Sequence, residues 1–328
     1  MHKIPGMFIP GGFFFTLILA YISQPAIMEK QPTIIIIAGP TAVGKTSFAI
    51  SVAKHFGTEI ISADSRQCYQ EMKIGVARPS EEELSSVKHH FIASHSVTEE
   101  LNAGSFEKYA LEKTASLFQN HRVVVMVGGT GLYIKAFCEG IDPMPEVPET
   151  VRDQVIEGYK SKGLIWLQKE LQQKDPGFWE VSTEQQNPQR LMRALEVFLA
   201  TGQSILRYRT QKKITRSFHI IKIGLEVPKE ILRKRIDERV DQMIESGLVA
   251  EVKNLVPYKN LNALQTVGYK EIFAYLDGTV SLEQAIAQIK TNTRQYAKRQ
   301  MTWFSKDPDI RWVAPDAESL GTIFSEFE

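Results

Sequence analysis

The stretch Gly39-Pro40-Thr41-Ala42-Val43-Gly44-Lys45-Thr46 constrains this chain more than any other. It fits the pattern G-x-x-x-x-G-K-[ST], follows a run of isoleucines at 34–37 and opens onto an apolar-periodic segment at 47–53. Strand, glycine-rich turn and helix in that order leave backbone N–H groups pointing inward at the positive end of a helix dipole. The natural guest of such a turn is a polyphosphate. Lys45 adds a point charge for the phosphates, and the Thr46 hydroxyl is suited to ligate Mg²⁺. The turn predicts a diphosphate or triphosphate ligand and leaves the reaction open. The fold class that follows is α/β, a P-loop-type parallel sheet flanked by helices.

The 328 residues suffice for one large or two ordinary domains. A net charge of +1 excludes a globally basic nucleic-acid binder, so any such surface is local. Cys68 and Cys138 have no metal-ligand spacing and suit a reducing compartment. Residues 4–28 carry no charge, and 13–22 are almost wholly apolar, as in a signal peptide or short anchor. Pro10-Gly11-Gly12 interrupts that stretch, and the apolar run is short for a membrane span. The favoured reading is a translation start at Met28, with residues 1–27 as an extension. A cytoplasmic monomer without a stable membrane partner is expected.

Along the chain, the second strand is expected at 59–63, with Asp64-Ser65-Arg66-Gln67 at its carboxyl end. In a doubly wound sheet that edge faces the ligand crevice. Asp64 there serves equally as a proton acceptor or as a helix cap. Glu81-Glu82-Glu83 begins a solvated helix, and 106–118 has helical periodicity. His89 and His90 are adjacent, point in different directions and lack a further ligand at metal spacing. The third strand, 123–127, ends in Gly128-Gly129-Thr130-Gly131 and carries no acidic residue of the kind hydrolytic P-loop enzymes use to hold their metal. That absence argues against plain nucleotide hydrolysis.

The proline-rich segment 142–148 ends the first part of the core, 28–141. Helices are expected at 149–160, 164–173 and 187–201, and a helical insertion spans 142–206. Gln189, Arg190 and Arg193 lie on its last helix, where a solvated face is the ordinary reading. The second part of the core, 207–328, opens with the cations Arg207, Arg209, Lys212, Lys213 and Arg216, which suit phosphate-backbone contact or an exposed linker. The fourth strand follows at 219–225 and a helical region at 228–255. On it, Arg235 and Arg239 are spaced to reach a leaving phosphate or to pair with Asp237 and Glu238. Gln265 to Lys270 turns into a helix, 282–304 forms a long helix, and 310–313 makes a short last strand.

From about Thr33 to Val313 the chain resembles the tRNA dimethylallyltransferases, also called tRNA isopentenyltransferases. Seven stretches in the family's order carry the resemblance: the P-loop, Ile61 to Gln67, Ile74-Gly75, Val127 to Tyr133, Asn187 to Glu196, Val267 to Glu271 and Ala297 to Trp303. Departures are Gly75-Val76-Ala77-Arg78-Pro79 where the family usually has Gly-Thr-Ala-Lys-Pro, Phe91-Ile92-Ala93 where it usually has Leu-Ile-Asp, and Cys68 where an aliphatic residue is usual. The resemblance implies transfer of a dimethylallyl group from dimethylallyl diphosphate to N6 of the adenosine 3′ of the anticodon, position 37, in tRNAs reading codons that begin with U. It implies that Asp64 is the general base and that Thr130 positions the reacting groups. The diphosphate would sit on Gly39, Pro40, Thr41, Ala42, Val43, Gly44, Lys45, Thr46 and Arg235, with Mg²⁺ at Thr46. The tRNA anticodon stem-loop would meet Asp64, Ser65, Arg66 and Gln67. It would also meet Gln189, Arg190, Leu191, Met192 and Arg193, and Gln265, Thr266, Val267, Gly268, Tyr269 and Lys270. Rival readings are a P-loop small-molecule kinase using ATP, an adenylate isopentenyltransferase acting on free AMP, and a non-catalytic RNA-binding protein.

Overall fold

The structure is a computed structural model that describes residues 31–210 and 212–326. The amino-terminal extension and Met28 lie outside the described residues. The chain alternates strands and helices: β1 (Thr33–Ala38), α1 (Lys45–His55), β2 (Ile60–Ser62), α2 (Glu81–Ser86), β3 (His89–His90), α3 (Ala103–Leu117), β4 (Val123–Gly128) and α4 (Gly131–Glu139). Three helices follow without a strand: α5 (Glu149–Lys174), α6 (Pro176–Val181) and α7 (Pro188–Thr201). The chain then returns to the sheet through β5 (His219–Leu225), α8 (Lys229–Glu245), α9 (Leu248–Asn254), α10 (Tyr269–Leu276), α11 (Leu282–Phe304), β6 (Ile310–Val313) and α12 (Ala317–Ser325).

The sheet order is β3-β2-β4-β1-β5-β6, and every pairing is parallel. β1 therefore lies inside the sheet, with β4 on one edge and β5 on the other. All six of its residues are buried, as a strand covered by helices on both faces must be. Its side chains alternate between two cores: Ile34 and Ile36 pack with Met126, Phe137 and Tyr269, whereas Ile35 and Ile37 pack with Phe48, Val52 and Leu225. Each isoleucine contributes about 1.5–3 kcal/mol by leaving water.

The segment between β4 and β5 carries a separate apolar cluster that includes Val155, Leu167, Leu171, Phe178, Leu191 and Leu195. The expected break between its first two helices falls at Gly163, whose φ of 73° and ψ of −170° interrupt α5. The short helix α6 was not expected. Asp175 caps it by accepting from Phe178 N at 3.1 Å, and Pro176 starts it. Two further differences arise from local chemistry. β3 adds a strand where none was expected, and the helical region at 228–255 divides at Gly247, whose φ is 96°. Among the described residues, no helix is long and apolar enough to cross a membrane.

Candidate active site

Three strand ends converge at the carboxyl edge of the sheet. Each backbone conformation there has a visible cause. Gly39 adopts φ 146°, and a Cβ on it would meet the Leu225 carbonyl at 2.8 Å. Gly44 takes the left-handed conformation, φ 110°, and starts α1. Ala42 also has a positive φ, 64°, strain that the closed loop imposes on a small side chain. The backbone at Gly128 comes so close to β2 that a Cβ would lie 2.2 Å from the Ala63 carbonyl. Ala63 N donates to Val127 O at 2.7 Å and Thr130 N to Ala63 O at 3.3 Å, so the ends of β2 and β4 are stitched together.

This stitching brings Asp64, Ser65 and Thr130 to one point. Ser65 N donates to Thr130 Oγ1 at 3.0 Å, and that hydroxyl in turn donates to Ser65 Oγ at 3.2 Å. Asp64 Oδ1 accepts from Arg66 N at 2.9 Å and from Gln67 N at 3.2 Å. Asp64 thus caps a turn, the alternative role left open by its sequence position. The cap engages Oδ1 only; Oδ2 has no hydrogen-bond partner among the described residues. The Gln67 side chain donates to Val76 O and Ala77 O, which ties the loop after β2 to the Gly75–Pro79 loop.

Facing Asp64 is the P-loop. Lys45 Nζ donates to Pro40 O at 2.7 Å. Burial pushes its pKa down to about 8, the charge of Asp64 opposes that shift, and the nearby Arg239 guanidinium reinforces it. Arg235 and Arg239 both turn toward the loop. Arg235 Nη1 donates to Val43 O at 3.0 Å, and Arg239 Nη1 lies 3.5 Å from Thr41 Oγ1. Asp237, the neighbour that could have neutralised them, instead forms a bidentate pair with Arg294. Arg239 forms no ion pair among the described residues; burial lowers its pKa, and the charge of Glu83 offsets only part of that shift. A desolvated guanidinium with no carboxylate in direct contact favours an arriving anion. The i, i+4 spacing of the two arginines was visible in the sequence, but nothing there distinguished Arg239 as the more buried one.

Two other residues hold the site together: Gln300 lies in the family stretch Ala297 to Trp303 but had no role assigned from sequence, and Glu251 lies outside every such stretch. Gln300, on α11, donates from Nε2 to Gly129 O at 2.9 Å and accepts from Thr41 N at 2.9 Å. Glu251, on α9, accepts from the amides of Lys73, Ile74 and Gly75 at 3.0, 2.7 and 3.0 Å, and from the Tyr269 hydroxyl at 2.6 Å. One carboxylate therefore joins the loop after β2 to the segment that opens α10. Removing it leaves three amides and a phenol without their acceptor. We expect Glu251→Ala to cost roughly 1.5–3 kcal/mol, the range for losing a hydrogen bond to a charged group. The cost appears as a lower urea midpoint with an unchanged slope; a midpoint equal to the wild type's would count against the anchor.

The expected RNA-facing residues divide by burial. Gln189 and Arg190 are exposed, and Arg190 pairs with Glu184 at 2.5 Å. Arg193 is half-buried and pairs with Glu196. Leu191 and Met192 point into the helical cluster and are buried, so their side chains offer no surface to RNA. Gln265, Thr266, Val267 and Lys270 are exposed or half-buried, whereas Gly268 is buried and the Tyr269 ring is fully so. A Cβ at Gly75 would lie 2.5 Å from that ring. Tyr269 is thus a packing and anchoring residue. The cationic stretch before β5 is also partly consumed within the protein: Arg216 pairs with Glu107 at 2.6 Å and bonds the carbonyls of Ala136 and Phe137, and Lys213 pairs with Glu139.

The histidine pair has local partners. His89 Nδ1 meets Val87 O at 2.8 Å, and His90 Nε2 meets Glu59 at 2.5 Å. Of the family departures, Cys68 is fully buried, and Arg78 donates to the carbonyls of Tyr69, Gln70 and Met72. Ala77 and Ala93 both sit at positive φ, 49° and 45°.

The sequence matches the family model described as IPP transferase over residues 67–307. A tRNA dimethylallyltransferase of Christiangramia forsetii is 50% identical over 292 residues, covering 89% of this chain and 96% of the relative. The corresponding protein of Cytophaga hutchinsonii is 44% identical over 293 residues, with 89% and 96% covered. Among solved structures, the full-length tRNA isopentenylpyrophosphate transferase of Bacillus halodurans superposes with a TM-score of 0.67 at 34% identity, covering 90% of this chain and 96% of the other. A eukaryotic dimethylallyltransferase acting on tRNA superposes with a TM-score of 0.72 at 28% identity, covering 88% and 75%. With its P-loop, its strand-end Asp64 and this likeness over most of its length, the chain belongs to the tRNA dimethylallyltransferase family.

Proposed function

We propose that this enzyme moves a dimethylallyl group from dimethylallyl diphosphate to N6 of the adenosine 3′ of the anticodon, position 37, in tRNAs reading codons that begin with U. The observation that carries this reading is the division of charge across the crevice. Cations and amides line the P-loop side, no carboxylate ends β4, and Asp64 stands opposite with one oxygen unengaged among the described residues. Such a site suits a diphosphate that departs whole. The adenine N6 attacks the allylic carbon, the bond from that carbon to the diphosphate oxygen breaks, and the N6 proton passes to Asp64. Lys45 and the loop amides stabilise the charge that grows on the departing oxygens. The target base leaves its stack in the anticodon loop, where its edges are free to be read.

Mg²⁺ fits the site in a restricted way. Thr46 lies in the first turn of α1 and offers one hard oxygen, and the described residues contain no group of three or more His, Cys, Asp or Glu side chains suited to a metal. That donor set suits an ion that takes most of its ligands from phosphate and water. When bound, the ion supplies positive charge to the leaving diphosphate. The RNA side of the reading rests on Gln189, Arg190 and Arg193 of the helical insertion, on Ser65 to Gln67 and on Gln265, Thr266 and Lys270. The enzyme is read as a cytoplasmic monomer, and its two widely spaced cysteines suit a reducing compartment.

The test is direct. The protein is incubated with Mg²⁺, dimethylallyl diphosphate and unmodified tRNA with adenosine at position 37, and the digested nucleosides are separated. Prenylated adenosine is expected, and it should vanish when guanosine replaces that adenosine. Prenylation of free AMP in preference to tRNA, or ATP-dependent phosphorylation of a metabolite with no prenyl product, would overturn the proposal.

A further inference from the structure

We infer that Gln300 is a positioning residue that sets the distance between the diphosphate cradle and the general base. Its carboxamide is the one side chain among the described residues that bonds the backbone of both the P-loop and the loop after β4. Oε1 accepts from Thr41 N and Nε2 donates to Gly129 O, each at 2.9 Å. The side chain is buried, at 6% exposure, so these bonds do not exchange freely with water.

The fit around this amide is close on both sides. A Cβ on Gly129 would stand 2.3 Å from Gln300 Nε2. Three residues along α11, a Cβ on Gly131 would stand 2.2 Å from the Trp303 ring. Both glycines at the start of α4 are therefore small because α11 lies against them. Gly129 is followed by Thr130, whose hydroxyl holds Ser65 N, and Ser65 adjoins Asp64. A continuous set of bonds thus runs from the P-loop amide of Thr41 through Gln300, Gly129, Thr130 and Ser65 to the carboxylate of Asp64.

Group transfer between two held partners depends on that spacing. A shift of about 1 Å in reacting atoms costs on the order of 100-fold in rate. Both polar atoms of the Gln300 tip are engaged with backbone, so its effect falls on turnover rather than on the binding of either substrate alone. A carboxamide suits the task because it offers one acceptor and one donor at its tip, matching an amide N–H on one side and a carbonyl on the other.

The inference rests on the proposed dimethylallyl transfer, and two variants separate the two ideas. Gln300→Met keeps the length and volume of the side chain and removes both bonds. Gln300→Glu keeps the acceptor for Thr41 N and faces the Gly129 carbonyl with a second oxygen. Each is assayed for prenyl transfer to tRNA well below its own melting temperature, beside direct binding of inorganic pyrophosphate and of tRNA. The expected result is a kcat lowered roughly 10- to 100-fold in both variants, with pyrophosphate and tRNA affinities within about threefold of the wild type's. A kcat within about twofold of wild type in a folded Gln300→Met protein overturns the inference and leaves the transfer reading intact. So does a loss confined to substrate affinity. A wild type that transfers no prenyl group overturns both.

Discussion

Replacing Asp64 with asparagine or alanine is expected to lower the turnover number for prenyl transfer by a factor of roughly 10²–10⁴, the usual consequence of losing a general base. The two variants differ in an informative way. Asparagine keeps an oxygen where Arg66 N and Gln67 N now donate, so the turn after β2 holds its shape. Alanine removes that acceptor as well. If the carboxylate served only as a cap, Asp64→Asn would be nearly as active as wild type and Asp64→Ala alone would be impaired. If it takes the N6 proton, both lose turnover to a similar degree. Affinity for tRNA should change by no more than a few-fold in the asparagine variant. A variant that loses tRNA binding while retaining turnover at saturation would refute the assignment.

Lys45→Met is expected to lower kcat by roughly 10²–10³, comparable to removing one donor from a site where charge develops on a leaving oxygen. The reasoning is electrostatic. The ammonium is held under the loop by the Pro40 carbonyl, 2.7 Å away, and is desolvated enough to lose much of its preference for the charged state. An arriving diphosphate reverses that preference, and the interaction strengthens as charge builds on the departing group. Methionine fills the space of the lysine stem without the charge. The fold should tolerate it, since a buried charge is removed rather than created. Binding of inorganic pyrophosphate, measured calorimetrically, should weaken by at least tenfold. Unchanged pyrophosphate binding in the variant would remove Lys45 from the cradle.

Much of this architecture was legible in the sequence, for reasons that can be named. The strands at 34–37 and 123–127 are short, uniform apolar runs each followed within two residues by glycine, as suits a strand buried on both faces. The P-loop declares itself because the backbone geometry needs glycine at two fixed positions. Helix α11 was read to the residue because serine precedes it and the apolar period persists to Phe304. Other features had no local signal. β3 is two residues long and is held by its neighbour β2. The polar tips of Gln300 and Glu251 gain their meaning from backbone groups far away in the chain, such as Thr41 for the first and Gly75 for the second. Motif matching also blurs function within a motif. Arg190 and Leu191 are adjacent in one family stretch, yet one is on the surface and the other in the core. A resemblance carries over residues in blocks, whereas a helix sorts them by face.

The inner position of β1 has a consequence for how the chain comes into being. Ile34 pairs with Val124 on one edge and with Ile220 on the other. On a ribosome, the second partner emerges roughly 190 residues after β1, which at 5–20 residues per second means about 10–40 s. Throughout that interval a strand of consecutive isoleucines has at least one unpaired edge, the kind of segment that adds foreign strands readily. The helical insertion lengthens the wait, since it is translated between β4 and β5. The element that makes the cradle rigid in the finished enzyme is thus the one most exposed to misassembly during synthesis.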